Sequence, residues 1–148
     1  MSEEKKEFEG DHKKQKVSRE QSEKELMQWL FEVRDIDEDD LQTDKLEIII
    51  DKVVREIIKG RITFSDNKLI YKPRKSRQPA EDFEGYVFPE RMSAKDMILA
   101  NSKTDDHYER QLYIVSVLTG VYSGLLTGDS LDFSEVELLS YIVTFYTL

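Results

Sequence analysis

The sequence contains no cysteine and only two histidines, and its first ten residues, MSEEKKEFEG, hold no apolar run. Without cysteine there is no disulfide framework, thiolate zinc site, iron–sulfur cluster or thiol nucleophile. His12 and His107 stand far apart, which argues against a histidine-based metal site. The polar start lacks the apolar core of a secretory leader, so the expected location is the cytoplasm. Positive charge is also scarce: 22 basic residues face 31 acidic ones, for a net charge of −9. A general nucleic-acid binder needs clustered Lys and Arg for phosphate contacts and is therefore disfavoured. No nucleophile elbow, glycine-rich phosphate loop or HExxH pattern occurs. The expectation is a protein that is not an enzyme and has no cofactor or resident metal.

A chain of 148 residues with 39% apolar side chains suits one domain with one core. The start of the chain does not belong to that core. Residues 1–25 hold three apolar side chains (Met1, Phe8 and Val17) against fifteen charged ones. Such a segment buries too little surface to offset its ordering entropy. Residues 1–21 therefore read as a disordered charged tail, the alternative being a polar helix that extends the next element backwards. The body, 22–148, reads as a single α+β domain, mostly helical, with one small antiparallel hairpin. Its parts are a helical pair over 22–60, a hairpin over 61–72 and helices over 93–148. Ser22 and Glu25 have capping-box spacing ahead of Leu26, Trp29, Leu30 and Val33. In the second helix, Asp44 and Glu47 precede Leu46, Ile49, Ile50, Val53 and Ile57, and Gly60 stands where a left-handed residue is wanted. Two β-prone runs flank Ser65-Asp66-Asn67, and Tyr86-Val87-Phe88 adds a short strand before Pro89. Ser93 with Asp96, and Ser134 with Glu137, mark further helix starts, and a longer helix runs from about Asp105 to Thr119.

Five segments invite a functional reading. The acids Asp35, Asp37 and Asp39 fit the first, third and fifth positions of a calcium loop, but Asp40 and Leu46 occupy the places of the required Gly and bidentate Glu. An acidic interhelix loop is the simpler reading. Between Lys59 and Arg77, seven basic residues face the single acid Asp66. This basic patch (Lys68, Lys72, Arg74, Lys75, Arg77) suits a solvated strand edge, an acidic protein partner or, with Tyr71 to stack, nucleic acid. Gln111 to Gly128 is uncharged over 18 residues, but three glycines and two tyrosines make it a poor membrane span. Asp105, Asp106 and His107 point in different directions on a helix and read as a charged first turn. Phe133 to Leu148 is apolar at ten of 16 positions. Such a helix is either the centre of the bundle or part of it meets another protein. Tyr141, Phe145, Tyr146 and Leu148 are the candidate partner-binding residues.

The second half resembles phage tail assembly chaperones, in particular the Mu-like tail assembly proteins. The likeness begins at Ile62-Thr63-Phe64 and Leu69-Ile70-Tyr71 and continues through Phe88-Pro89-Glu90-Arg91-Met92 to Leu99. It is best at the turn Leu118-Thr119-Gly120, followed by Leu125, Leu131-Asp132 and an apolar last helix, and covers roughly residues 61–148. The chain departs from the family in its 60 residues ahead of the hairpin and in lacking a proline soon after the turn. The resemblance implies a non-catalytic helper in the host cytoplasm that holds the tape-measure protein and recruits tail-tube subunits. Self-association, the basic patch meeting the chain's own acidic loops, is a separate expectation. A structural tail or baseplate component, or an acidic DNA mimic, is the alternative. No membrane or nucleic-acid partner is expected.

Overall fold

The computed structural model describes residues 19–127 and 131–148. The tail expected over 1–21 lies largely outside the described residues, but residues 19–21 are already helical. Helix α1 therefore spans at least 19–28 and runs on into a π-turn, Trp29–Val33. Ser22 is not a cap but a buried residue inside this helix. The helix extends back past it, where Arg19 forms an ion pair with Asp51 at 2.6 Å. The wide turn ends on Asp35 at φ 54°, and Ile36 and Leu41 then anchor the acidic loop in the core.

Helix α2, Asp44–Ile58, is capped by Thr43, whose hydroxyl accepts from the Leu46 N–H at 3.2 Å. Asp44 is the first helical residue rather than the cap, so the start expected from sequence is displaced by one. Leu46, Ile49, Ile50, Val53, Val54 and Ile57 form its buried stripe. Gly60 follows at φ +76°. Strands β1, Ile62–Ser65, and β2, Lys68–Tyr71, pair antiparallel around a tight turn whose Asp66 and Asn67 both have positive φ. Strand β3, Tyr86–Phe88, adds to β2, so the expected hairpin is a three-stranded sheet in the order β1-β2-β3. Alternation turns Ile62, Leu69, Tyr71, Tyr86 and Phe88 inward.

Three helices and a short turn of helix complete the domain. Helix α3, Ala94–Asn101, starts at Ser93, which accepts from the Asp96 N–H as the sequence spacing implies. Helix α4, His107–Thr119, is capped by Asp106, which accepts from the Glu109 N–H at 2.8 Å. It ends at Gly120, φ +76°, so the uncharged stretch is broken there rather than continuous. Among the described residues no helix is long and apolar enough to cross a membrane. After the short α5, Ser123–Thr127, helix α6 runs from Phe133 to Thr144. Asp132, not Ser134, sits at its cap position, which makes Glu135 the third helical residue.

Helix α6 packs on both α2 and α4. Leu139, Ile142 and Val143 are buried, and the turn after the helix drives Phe145 and Tyr146 into the core at 1% and 8% exposure. The Tyr146 hydroxyl donates to the Pro89 carbonyl at 2.5 Å, its ring meets Trp29 edge-on, and the Arg34 guanidinium lies 4.0 Å above it. Phe145 and Tyr146 are thus core residues, which corrects their expected place on a partner surface. The cause is a long-range aromatic cluster with Trp29 and Phe88.

Candidate functional site

The outward side of α6 and the adjoining side of α2 form a seam with two kinds of lining. On α2, the phase set by the Thr43 cap places Lys45, Lys52 and Lys59, each seven residues apart, along one exposed edge. On α6, Phe133, Glu137, Tyr141 and Thr144 recur at i, i+4, i+8 and i+11 on a common face.

Where the C-terminal half of α2 meets the first turns of α6, a polar cleft of 310 Å³ opens. Six cations line it: Lys52, Arg55, Lys59, Arg61, Arg74 and Arg77, against the carboxylates Glu56, Glu135 and Glu137. The short 3₁₀ turn Lys75–Arg77 and the loop closed by the Gln78 amide on the Pro73 carbonyl, 3.0 Å, carry Arg74 and Arg77 to the cleft. Arg77 pairs with Asp132 at the start of α6, Arg61 with Glu56 at 3.0 Å, and Arg55 with Asp51 at 3.0 Å. Lys52 and Arg74 make no ion pair among the described residues. The basic run seen in the sequence is therefore divided. Arg74 and Arg77 enter the cleft, whereas Lys68, Lys72 and Lys75 do not line it.

The floor of the cleft is a buried pair. The Tyr71 hydroxyl donates to the Glu135 carboxylate, and Tyr71 stacks on Tyr86 with ring centres 5.8 Å apart. Burial pushes the Glu135 carboxyl above the usual range, although the Tyr71 hydrogen bond and the guanidinium groups of Arg77 and Arg61 pull the other way. Burial and then the Glu135 hydrogen bond hold the Tyr71 hydroxyl well above its ordinary pKa. The pair closes on itself, and the chemistry open to the cleft is the binding of anions by guanidinium and ammonium groups.

The N-terminal half of α2, the first turns of α4, one face of α6 from Phe133 onward and the residues after it line a second groove of 470 Å³. Tyr108, Phe133 and Leu148 stand in it at 52%, 61% and 52% exposure. Tyr108 and Phe133 meet edge-on at 6.0 Å, and the Tyr141 hydroxyl donates to Glu137 at 2.9 Å. Glu137 and Tyr141 line both cavities, so the groove and the cleft are neighbours along α6. Of the four residues expected to bind a partner, Tyr141 and Leu148 lie in this groove.

Other sequence candidates lie apart from the seam or serve the fold. Leu118, Thr119 and Gly120 form the end of α4, where the Thr119 hydroxyl donates to the Val115 carbonyl at 2.7 Å. Asp106 is a cap, and His107 borders the groove beside Tyr108. No group of His, Asp and Glu able to hold a metal ion occurs among the described residues, the acidic loop included. Sequence reasoning missed Lys52, Arg55, Tyr108 and Glu135. The seven-residue lysine spacing was the one signal that could have exposed the α2 edge. Comparison with known proteins yields no match: no family model, no curated protein and no solved structure aligns with this chain.

Proposed function

We propose that the chain is a non-catalytic assembly chaperone of the phage tail kind, which holds a tape-measure protein and recruits tail-tube subunits in the host cytoplasm. The observation that carries this reading is the groove between α2, α4 and α6. Its Tyr108, Phe133 and Leu148 face solvent, while Leu46 and Ile49, which also line it, are buried in the core. Adjacent exposed aromatic and aliphatic side chains with a polar rim have the composition of a protein interface. The client's identity is supported by the resemblance over 61–148 alone.

Co-expression with the tape-measure protein tests the reading. The wild-type chain should keep that client soluble and be captured with it. The double substitution Tyr108→Ser, Phe133→Ser should abolish capture while the melting temperature stays within a few degrees of the wild type. Undiminished capture by the double variant would overturn the groove as the binding surface. Stoichiometric recovery of the chain in purified virus particles would instead make it a structural tail component.

A further inference from the structure

The aromatic groove and the cationic cleft share Glu137 and Tyr141, and a ligand lying along the seam meets both. We infer that the seam is a docking surface for an acidic amphipathic helix of a partner chain. Its apolar side rests on Tyr108, Phe133 and Tyr141, and its carboxylates run along Lys45, Lys52 and Lys59. This rests on the protein-binding reading above and adds the chemistry of the partner.

Length and spacing favour a helix. Lys45 to Lys59 covers 14 residue steps, about 21 Å of helix axis at 1.5 Å each, which matches roughly four turns of a partner helix. Consecutive lysines on that edge are about 10 Å apart, the rise of two helical turns. One phosphate group cannot reach two of them, whereas acids spaced seven residues apart on a helix can. Charge favours acidity. The cationic edge belongs to a chain of net charge −9, so its attraction is local and selects an acidic segment laid along it. Lys52 and Arg74 have no ion-pair partner among the described residues and are free to accept one. The seam also contains Glu56, Glu135 and Glu137. A uniformly charged nucleic-acid backbone would meet these carboxylates, whereas an amphipathic helix presents its acids on one edge and apolar groups beside them.

The test uses two labelled, helix-stapled peptides of roughly 18 residues, long enough to hold helical structure. They share one apolar face and differ only in carrying Glu or Lys at the exposed positions. At about 150 mM salt the acidic peptide should bind at least about tenfold more tightly than the basic one. Amide shifts in the protein should centre on Ile49, Lys52, Glu137 and Tyr141. The triple variant Lys45→Glu, Lys52→Glu, Lys59→Glu changes three exposed positions and should reverse the preference. Lys52→Glu alone should show the same change on a smaller scale. Equal affinity for the two peptides would overturn the acidic assignment and leave the protein-binding reading standing. Binding of neither peptide would overturn both. An acidic preference that survives the triple variant would place the site elsewhere and overturn the inference. Tighter binding of a thymidine oligonucleotide than of the acidic peptide would identify a nucleic-acid surface and overturn it as well.

Discussion

The two sides of α6 carry similar residue types and do opposite things. Phe133 and Tyr141 lie on the outward side, whereas Leu139, Ile142, Phe145 and Tyr146 are buried, Tyr146 against Trp29 and Phe88. The difference does not come from hydrophobicity, because an aromatic residue near either end would serve both surfaces. It comes from distant partners. Tyr146 is held by Pro89, 57 positions away, and by Arg34, which also donates to the Glu90 carbonyl at 2.5 Å. Among the described residues, the ring contact of Phe133 is with Tyr108. A segment apolar nearly all round thus acquires an inside from the tertiary contacts it finds.

The sharpest way to break this contrast is to truncate the inner side. Phe145→Ala removes a fully buried ring and should cost about 3–5 kcal/mol, enough to unfold most of a marginally stable domain. A urea melt measures it, and a loss below about 1 kcal/mol would mean the ring is not in the core. Tyr146→Phe is gentler. It keeps the ring under Arg34 and removes the hydroxyl that donates to the Pro89 carbonyl. The expected loss is about 1 kcal/mol, the net worth of one hydrogen bond.

Much of the fold was legible because α2 and the strands obey simple periods. The stripe from Leu46 to Ile57 repeats at helical spacing, and Gly60 marks its end. The sheet was underestimated because β3 pairs across a 14-residue loop that no local pattern connects to β2. Helix starts were misplaced where two good caps were adjacent, as at Thr43 and Asp44, or where a cap-like residue lay inside a longer helix, as at Ser22. The site was less legible. Four of the cleft's six cations fall in the basic run from Lys59 to Arg77, but Lys52 and Arg55 come from α2, and Glu135 meets Tyr71 across 64 positions. The facing of α6 could not be read, because large apolar residues occur on nearly all its sides and its few polar ones orient it only weakly.

The outward side should tolerate what the inner side cannot. Phe133→Ser exposes nothing new and should change stability by no more than about 0.5 kcal/mol, the usual range for surface positions. Client or peptide binding should fall at the same time. A large loss of stability here would erase the distinction between the two sides.

Glu135 lies between these sides, at the first turn of α6, and its effect should be the smallest and of opposite sign. Burial raises its carboxyl pKa, so the folded chain binds more proton than the unfolded chain between the ordinary glutamate value and the raised one. The neutral carboxyl's advantage is complete below the ordinary value, about pH 4.3. It is lost as pH rises through the raised value, and wild-type stability should decline over that window. Glu135→Gln has no titrating proton and can still accept from the Tyr71 hydroxyl. The variant should therefore match the wild type in acid and melt slightly higher at neutral pH. Tyr71, Arg61 and Arg77 favour the charged form, while burial and Glu56 on α2 oppose it. Melting curves for the two proteins across pH 4–8 weigh these influences directly. If Gln instead lowers the neutral-pH melting temperature, the guanidinium groups and the tyrosine outweigh burial, and the pair at the cleft floor is held together by its charge.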